Sequence, residues 1–330
     1  VKNSVKSLLR SRNSGLLAGL FIMLALAAGI TPKLFVPSTI ISMLRNNCIY
    51  VFLAVAEFTV IISGAIDLSG PAILSFTACF SAVQQMNHPD TPAIVWVLIS
   101  LAIGVACGAV NGLLVYKLKM NPMIATLGSQ YVIRGCAFLV SNGAYIFPHQ
   151  VSESFQSIAT GKLLGFQAIL WYAVVVMILA AIFLGRTMLG RHVYAIGSNM
   201  ESARIAGLNT GRISITAYMI SGFLAAFAGV MYIANFATVN YQAANGYEMT
   251  AIAISILGGA SVTGGKGQVS GLVLSVMMIA VINSFLSMLP GMNLWSDAIQ
   301  GLIILVAVVL NKSLAQREHL QELKEQEALL

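Results

Sequence analysis

Residues 93–116 read AIVWVLISLAIGVACGAVNGLLVY and contain no charged side chain. About 20 apolar residues wound into a helix span a hydrocarbon core of about 30 Å. An aqueous fold has no surface against which to hide so long an unbroken apolar run, so this stretch commits the chain to a bilayer. The rest of the composition agrees: 58% of residues are hydrophobic and 9% charged, against about 25% charged in an ordinary soluble domain. Glycine is frequent, at 29 residues, as expected where helices pack closely in lipid.

Outward from residues 93–116, apolar segments recur at 15–32, 45–63, 71–86, 92–116, 122–140, 166–184, 213–234, 250–262, 268–289 and 293–311. They predict an all-α polytopic bundle of about ten membrane segments. The first follows Lys2, Lys6, Arg10 and Arg12 and so imitates a signal peptide, but with no small-residue cleavage site it reads as a retained helix. The third and eighth are short, and each abuts a Gly-rich or Pro-containing interruption. Asn121 followed by Pro122 predicts a helix start, an N-cap with proline at the first helical position.

With the N-terminus inside, the predicted organisation is one permease domain over 1–311, a cytoplasmic loop over 185–212 and a cytoplasmic tail over 312–330. Of the 18 lysines and arginines, Lys33, Arg45, Arg134 and Lys162 alone then fall elsewhere than the cytoplasmic side. That asymmetry is the positive-inside pattern. The net charge of +7 thus records topology and calls for no nucleic-acid partner. Cys48, Cys79, Cys107 and Cys136 sit in or beside apolar segments without a Cys-x-x-Cys pair and read as packing residues. The histidines at 88, 149, 192 and 319 have no neighbours that suggest a metal site or a catalytic triad.

Residues 61–73, IISGAIDLSGPAI, place Asp67 beside Ser69 in an apolar setting. An ionised carboxylate at the bilayer centre costs about 2.5–3.5 kcal/mol on insertion scales. An interruption offsets this: Gly64 and Gly70 allow tight turns, Pro71 restarts a helix, and freed amides can bond the carboxylate. Two readings stay open, a structural cap on a broken helix or a gate beside a transport path. A second interruption is ILGGASVTGGKGQVSG at 256–271, with Gly258, Gly259, Gly264, Gly265 and Gly267. It is no phosphate-binding loop, because Lys266 precedes Gly267 rather than Ser or Thr. Paired interruptions hint at a duplicated transporter architecture.

Gly104, Gly108 and Gly112 form one small-residue row, and Ser221, Ala225 and Gly229 another. Asn47, Glu57, Asn111, Gln130, Arg134, Asn235 and Asn283 are polar groups within apolar segments, and none is expected to face lipid. With Asp67 and Ser69 they are candidates for a polar interior route. Nothing in the ten-residue separation of Glu57 and Asp67 requires the two to meet.

In the loop 185–212, Glu201-Ser202-Ala203-Arg204-Ile205-Ala206-Gly207-Leu208 predicts a short helix ending at Gly207. Ile205 and Leu208 would share one face, with Glu201 and Arg204 on the polar side. Such a helix suits a groove on another protein or an interfacial position on lipid headgroups.

Four stretches in order, SGAIDLSG (63–70), GAVNGLLVYKLKMNPMIATLGSQYVIRG (108–135), GRHVYAIGSNMESARIAGLN (190–209) and GYEMTAIAISILGGASVTGGKGQVSG (246–271), resemble the membrane-spanning permeases of bacterial ABC sugar importers. That family includes permeases for ribose, arabinose, xylose, galactose and autoinducer-2. Ala65, Gly70-Pro71 and Asn121 depart from its usual residues. The resemblance implies that Glu201, Ser202, Ala203, Arg204, Gly207 and Leu208 form the segment that docks on an ATPase subunit. It implies a bacterial inner-membrane machine of this permease, a second copy or homologue, two ATPase domains and a periplasmic sugar-binding protein. This chain would hold no cofactor, with ATP and Mg on the ATPase. An ion-coupled carrier using Glu57 and Asp67, and an ABC permease for branched-chain amino acids, remain as alternatives.

Overall fold

The computed structural model describes residues 14–295, 298–299 and 301–302. Its helices are α1 Ser14–Ile30, a 3-10 turn Pro32–Phe35, α2 Pro37–Ile62, α3 Gly70–Asn87, α4 Ala93–Tyr116 and α5 Pro122–Ser141, then α6 Glu153–Thr160 and α7 Ala168–Arg186. There follow α8 Met188–Ser198, α9 Met200–Ile205, α10 Thr210–Phe236, α11 Tyr247–Leu257 and α12 Val269–Met288. The only sheet among the described residues is a two-residue antiparallel hairpin, β1 Lys162–Leu163 and β2 Phe166–Gln167. The chain is therefore an all-α bundle.

Among the described residues, 6 helices are long and apolar enough to cross a membrane: α2, α4, α5, α7, α10 and α12. Helix α3 has 18 residues, but Ser75, Thr77, Ser81, Gln84 and Gln85 dilute its apolar character. At 11 residues, α11 is too short to span alone, since about 20 are needed. The segment predicted over 293–311 lies largely outside the described residues, as does the tail 312–330.

The layering follows burial. Helices α2 and α10 are sheltered over most of their lengths, whereas α4 and α7 turn most of theirs outward. Phe52 of α2 meets Phe227 of α10 edge to face at 5.0 Å, within a core that includes Phe58, Ile61, Ile62 and Met231. The outer helices leave Ile94, Leu98, Val174, Ile178 and Leu179 half or more exposed to the surroundings. A water-facing surface rarely carries apolar area so contiguous; a lipid-facing one does.

The small-residue rows pair selectively. A Cβ on Gly104 would overlap the Gly222 carbonyl, one on Gly108 the Tyr218 carbonyl, and one on Gly112 would reach 2.8 Å from the Ile215 Cα. Helix α4 thus packs backbone to backbone on the 215–222 face of α10. The second predicted row, Ser221, Ala225 and Gly229, turns toward α3 and the segment before it: a Cβ on Gly229 would strike Leu74 O and Thr77 Oγ1, while Ser221 reaches Asp67. Asn121 caps α5 as predicted, its side chain accepting from Met123 N at 3.0 Å.

Candidate functional site

Helix α2 stops at Ile62, and Gly64 turns the chain with φ +87°, a conformation open to glycine at little cost. Gly70 was expected to turn as well; instead it is the first residue of α3, with Pro71 in the first turn and Ser69 at the N-cap. A Cβ on Gly70 would make only ordinary contacts, 3.7 Å from Leu53 and 4.0 Å from Ala225.

Between the two helices Asp67 is 3% exposed. Its Oδ1 accepts from Ser69 N at 3.0 Å and Ser69 Oγ at 2.6 Å, and its Oδ2 from Ser221 Oγ at 2.9 Å. Asn111 Nδ2 donates to Ser69 Oγ at 2.7 Å. Glu57 Oε1 accepts from Asp67 N at 3.3 Å, so the two residues meet, side chain to backbone, although their spacing did not require it. Thr126 Oγ1 accepts from Leu68 N at 3.1 Å and donates to Pro122 O at 2.8 Å. The interruption is thereby tied to α2, α4, α5 and α10, and a buried carboxylate that would otherwise be costly is hydrogen-bonded on both oxygens.

Of the polar candidates, Glu57, Asp67, Ser69 and Asn111 converge, and the structure adds Thr126 and Ser221. The others are dispersed. Asn47 donates to Met43 O at 2.8 Å and borders an apolar groove between α2, α7 and α12. Gln130 Nε2 lies 3.5 Å from Glu248 Oε1 in a different cleft. Asn235 is on α10 with neither side-chain polar atom bonded, and Asn283 is in the half of α12 farther from the second interruption.

That second interruption runs from Gly258 to Gln268, between α11 and α12, and it comes back to the first. Gly265 N donates to Ile62 O at 2.9 Å, and Ser261 N to Lys266 O at 2.9 Å. A Cβ on Gly264 would lie 2.7 Å from both Gly197 O and Gly64 Cα. Gly267 packs on Phe58 and Ile62, while a Cβ on Gly258 would press on Leu272 and one on Gly259 would meet a φ of +91°.

The third member of this junction is α8. A Cβ on Gly197 would overlap the Ile62 carbonyl and sit 2.7 Å from Gly265 N. Tyr194 Oη donates to Gly267 O at 2.8 Å, and burial pushes this phenol above its ordinary pKa. Past the junction, Asn199 caps α9 by accepting from Ser202 N at 2.9 Å. Ala203 is buried, while Arg204 and Glu201 form an exposed ion pair at 2.6 Å that raises the guanidinium pKa. Ile205 is 80% exposed. Leu208 was expected on the same face but turns inward to the core, because Gly207 reverses the chain at φ +84° and Leu208 N bonds back to Ala203 O. The helix therefore ends at Ile205, short of the predicted Gly207.

An all-helical bundle with lipid-compatible outer faces, two interrupted helices and a short helix, α8, locked to both interruptions and leading into the more exposed α9 is the architecture of a multi-pass membrane transport protein. Residues 39–308 match the family model described as branched-chain amino acid transport system / permease component, and the chain belongs to that family. It is a permease of the bacterial inner membrane and not an enzyme.

The chain is similar to the ribose import permease protein RbsC of Escherichia coli strain K12, at 30% identity over 297 residues, covering 89% of this chain and 92% of the relative. It is also similar to the fructose import permease protein FruG of Bifidobacterium longum, at 33% over 280 residues, covering 82% of each. A third relative is the autoinducer 2 import system permease protein LsrC of Enterobacter sp. strain 638, at 30% over 312 residues, covering 94% of this chain and 90% of the relative. No solved structure matches the chain.

Proposed function

We propose that this chain is the permease subunit of an ATP-driven importer for a small sugar or sugar-like solute delivered by a periplasmic binding protein. It crosses the membrane about ten times with its N-terminus inside, and pairs with a second copy or a homologue. The cytoplasmic loop over 185–212 docks on the ATPase through the 201–208 segment, with Glu201, Ser202, Arg204 and the exposed apolar anchor Ile205 making contact while buried Ala203, the turn at Gly207 and inward-facing Leu208 hold its shape.

The observation that carries this reading is the close approach of Gly197 on α8 to both interruptions, at Gly64 and at Gly264. When ATP closes the ATPase dimer, a shift of α8 and α9 would press directly on the backbone at Ile62 and Gly265. Packed backbones with no side chains between them cannot absorb such a displacement by rotamer changes. The shift would pass to the Asp67 network and to the seating of α2 against α3, α4 and α10. In this scheme Asp67 and Glu57 hold the moving joint together and do not carry an ion.

The cargo assignment rests on the import named for the similar proteins, whose whole length this chain nearly spans. A branched-chain amino acid is the second reading, favoured by the family's description. The deciding experiment is a detergent-solubilised pull-down on wild-type protein and on the double variant Glu201→Ala, Gly207→Trp. A P-loop ATPase that accompanies the wild type and is lost from a correctly inserted double variant supports the proposal. Absence of any ATPase, under conditions that preserve a known transporter complex, refutes it.

A further inference from the structure

A cleft of about 530 Å³ opens between α5 and the turn leading into α11, inside the about 300–1,000 Å³ range of small-molecule sites. Its walls include Gln130, Arg134, Tyr131, Tyr241, Gln242 and Glu248. Gln130 is buried, and Tyr131 and Gln242 stand exposed at the rim.

The polar groups here are incompletely used. Arg134 donates through one terminal nitrogen to Tyr241 O at 3.2 Å and Ala243 O at 3.4 Å, while its Nε and second terminal nitrogen have no partner. Glu248 Oε1 is 3.5 Å from Gln130 Nε2, and its Oε2 has no partner. A guanidinium edge and a carboxylate oxygen left unbonded away from water are expensive, and native structures satisfy such groups or use them. Glu248 also borders the small cavity beside Glu57, Asp67 and Ser221, so it stands between the cleft and the hydrogen-bonded joint.

Resting on the reading of the chain as an importer permease, we infer that this cleft is where a polyhydroxylated solute contacts the permease in transit, with Gln130, Arg134 and Glu248 as its polar contacts. Sugar hydroxyls donate and accept at once, which matches paired free N–H donors and a free carboxylate oxygen. Tyr131, Phe138 and Tyr241 line the cleft, and such rings supply the apolar surface against which a sugar's C–H groups can lie. A zwitterionic amino acid could bridge Arg134 and Glu248. A branched aliphatic side chain would then need an aliphatic cup, and Leu127 is the one aliphatic side chain in this wall.

Gly135 lines the cleft, and a Cβ there meets nothing within 4 Å, so a large side chain can fill the space without disturbing the helix. The test uses proteoliposomes holding the full transporter with its ATPase and binding protein, and labelled D-ribose, D-fructose, L-arabinose and L-leucine as probes. Gly135→Trp is expected to lower the initial sugar uptake rate at least tenfold while still assembling as a monodisperse complex. Gly29→Trp on α1, where space is equally open, is expected to stay within twofold of wild type. Glu248→Gln is expected to lower sugar moved per ATP hydrolysed at least threefold. Wild-type uptake by an assembled Gly135→Trp transporter, or an unchanged sugar-to-ATP ratio in Glu248→Gln, overturns the inference. Leucine uptake that Gly135→Trp blocks overturns the polyol assignment, and a wild type that carries none of the four probes overturns the importer reading beneath it.

Discussion

The amide of Gly265 donates to the carbonyl of Ile62 across 2.9 Å, so the loop interrupting one pair of helices satisfies the end of a helix in the other. The last carbonyls of α2 have no intrahelical partners, and Ile62 is fully buried, where an unbonded carbonyl is costly. Gly197 closes over the same bond from α8. Three segments far apart in the chain thus share one point at which no side chain intervenes.

A methyl group on Gly197 has no room beside Ile62 O. Gly197→Ala is expected to destabilise the permease by about 1–3 kcal/mol, the range for overpacking, and to sever stimulation of ATP hydrolysis by the loaded binding protein. Gly185→Ala, with nothing within 4 Å, is the control. Thermal unfolding in detergent and an ATPase assay check both, and equal midpoints for the two variants would refute the tight junction.

Removing the Asp67 carboxylate strands several donors at once. Asp67→Ala leaves Ser69 N, Ser69 Oγ and Ser221 Oγ without their acceptor, and a stranded buried donor costs about 1–3 kcal/mol. Ser221→Ala strands Asp67 Oδ2 alone while Oδ1 keeps its Ser69 bonds, one unsatisfied group at about 1–3 kcal/mol against three in Asp67→Ala. Denaturation of the purified permease should rank wild type, Ser221→Ala and Asp67→Ala in falling stability. A reversed order would contradict the role assigned to the carboxylate.

The α4 to α10 contact makes the opposite demand from the open, cleft-lining face of α5. Gly108→Leu must push α4 off the Tyr218 backbone, and loss of folded, monodisperse protein is expected. Gly135→Ala enters open space in a helix where alanine exceeds glycine in propensity by about 1 kcal/mol, so its melting temperature should match or exceed wild type. Fluorescence-detected size exclusion with a temperature ramp distinguishes the two.

Docking through Ile205 predicts a split between two neighbouring substitutions. Ile205→Asp places a charge on the exposed apolar anchor and should reduce ATPase recovery in a pull-down at least fivefold. Arg204→Ala removes a fully exposed ion pair, which contributes little to folding in water, so its melting temperature should be unchanged. Full ATPase recovery with Ile205→Asp would move the docking surface elsewhere.

Much of this architecture is legible along the chain. The charge-free run at 93–116 commits the protein to lipid, Asn121-Pro122 marks a helix start, and the glycines near 64 and 258–267 mark interruptions. These are local signals, set by side-chain polarity, backbone freedom and capping within a few residues. Thr126 and Ser221 gave no comparable signal. A single hydroxyl in an apolar helix can satisfy itself on its own preceding turn, so nothing local distinguishes one that reaches a neighbouring loop. Glu248 was equally silent, because its significance depends on Gln130 and Arg134 across the cleft.

By itself the sequence determined the class of protein: apolar runs too long for an aqueous core, broken at two glycine-rich points with a short amphipathic segment between them. Those properties are additive along the chain and survive whatever the helices pack against. Only the tertiary structure decided that Glu57 meets Asp67, that Gly104 to Gly112 face Tyr218 and Gly222 rather than the neighbouring row, and that both interruptions and α8 meet at Gly64, Gly197 and Gly265. Such pairings depend on which helix faces interlock at backbone distance, a property of the whole bundle that no local spacing encodes.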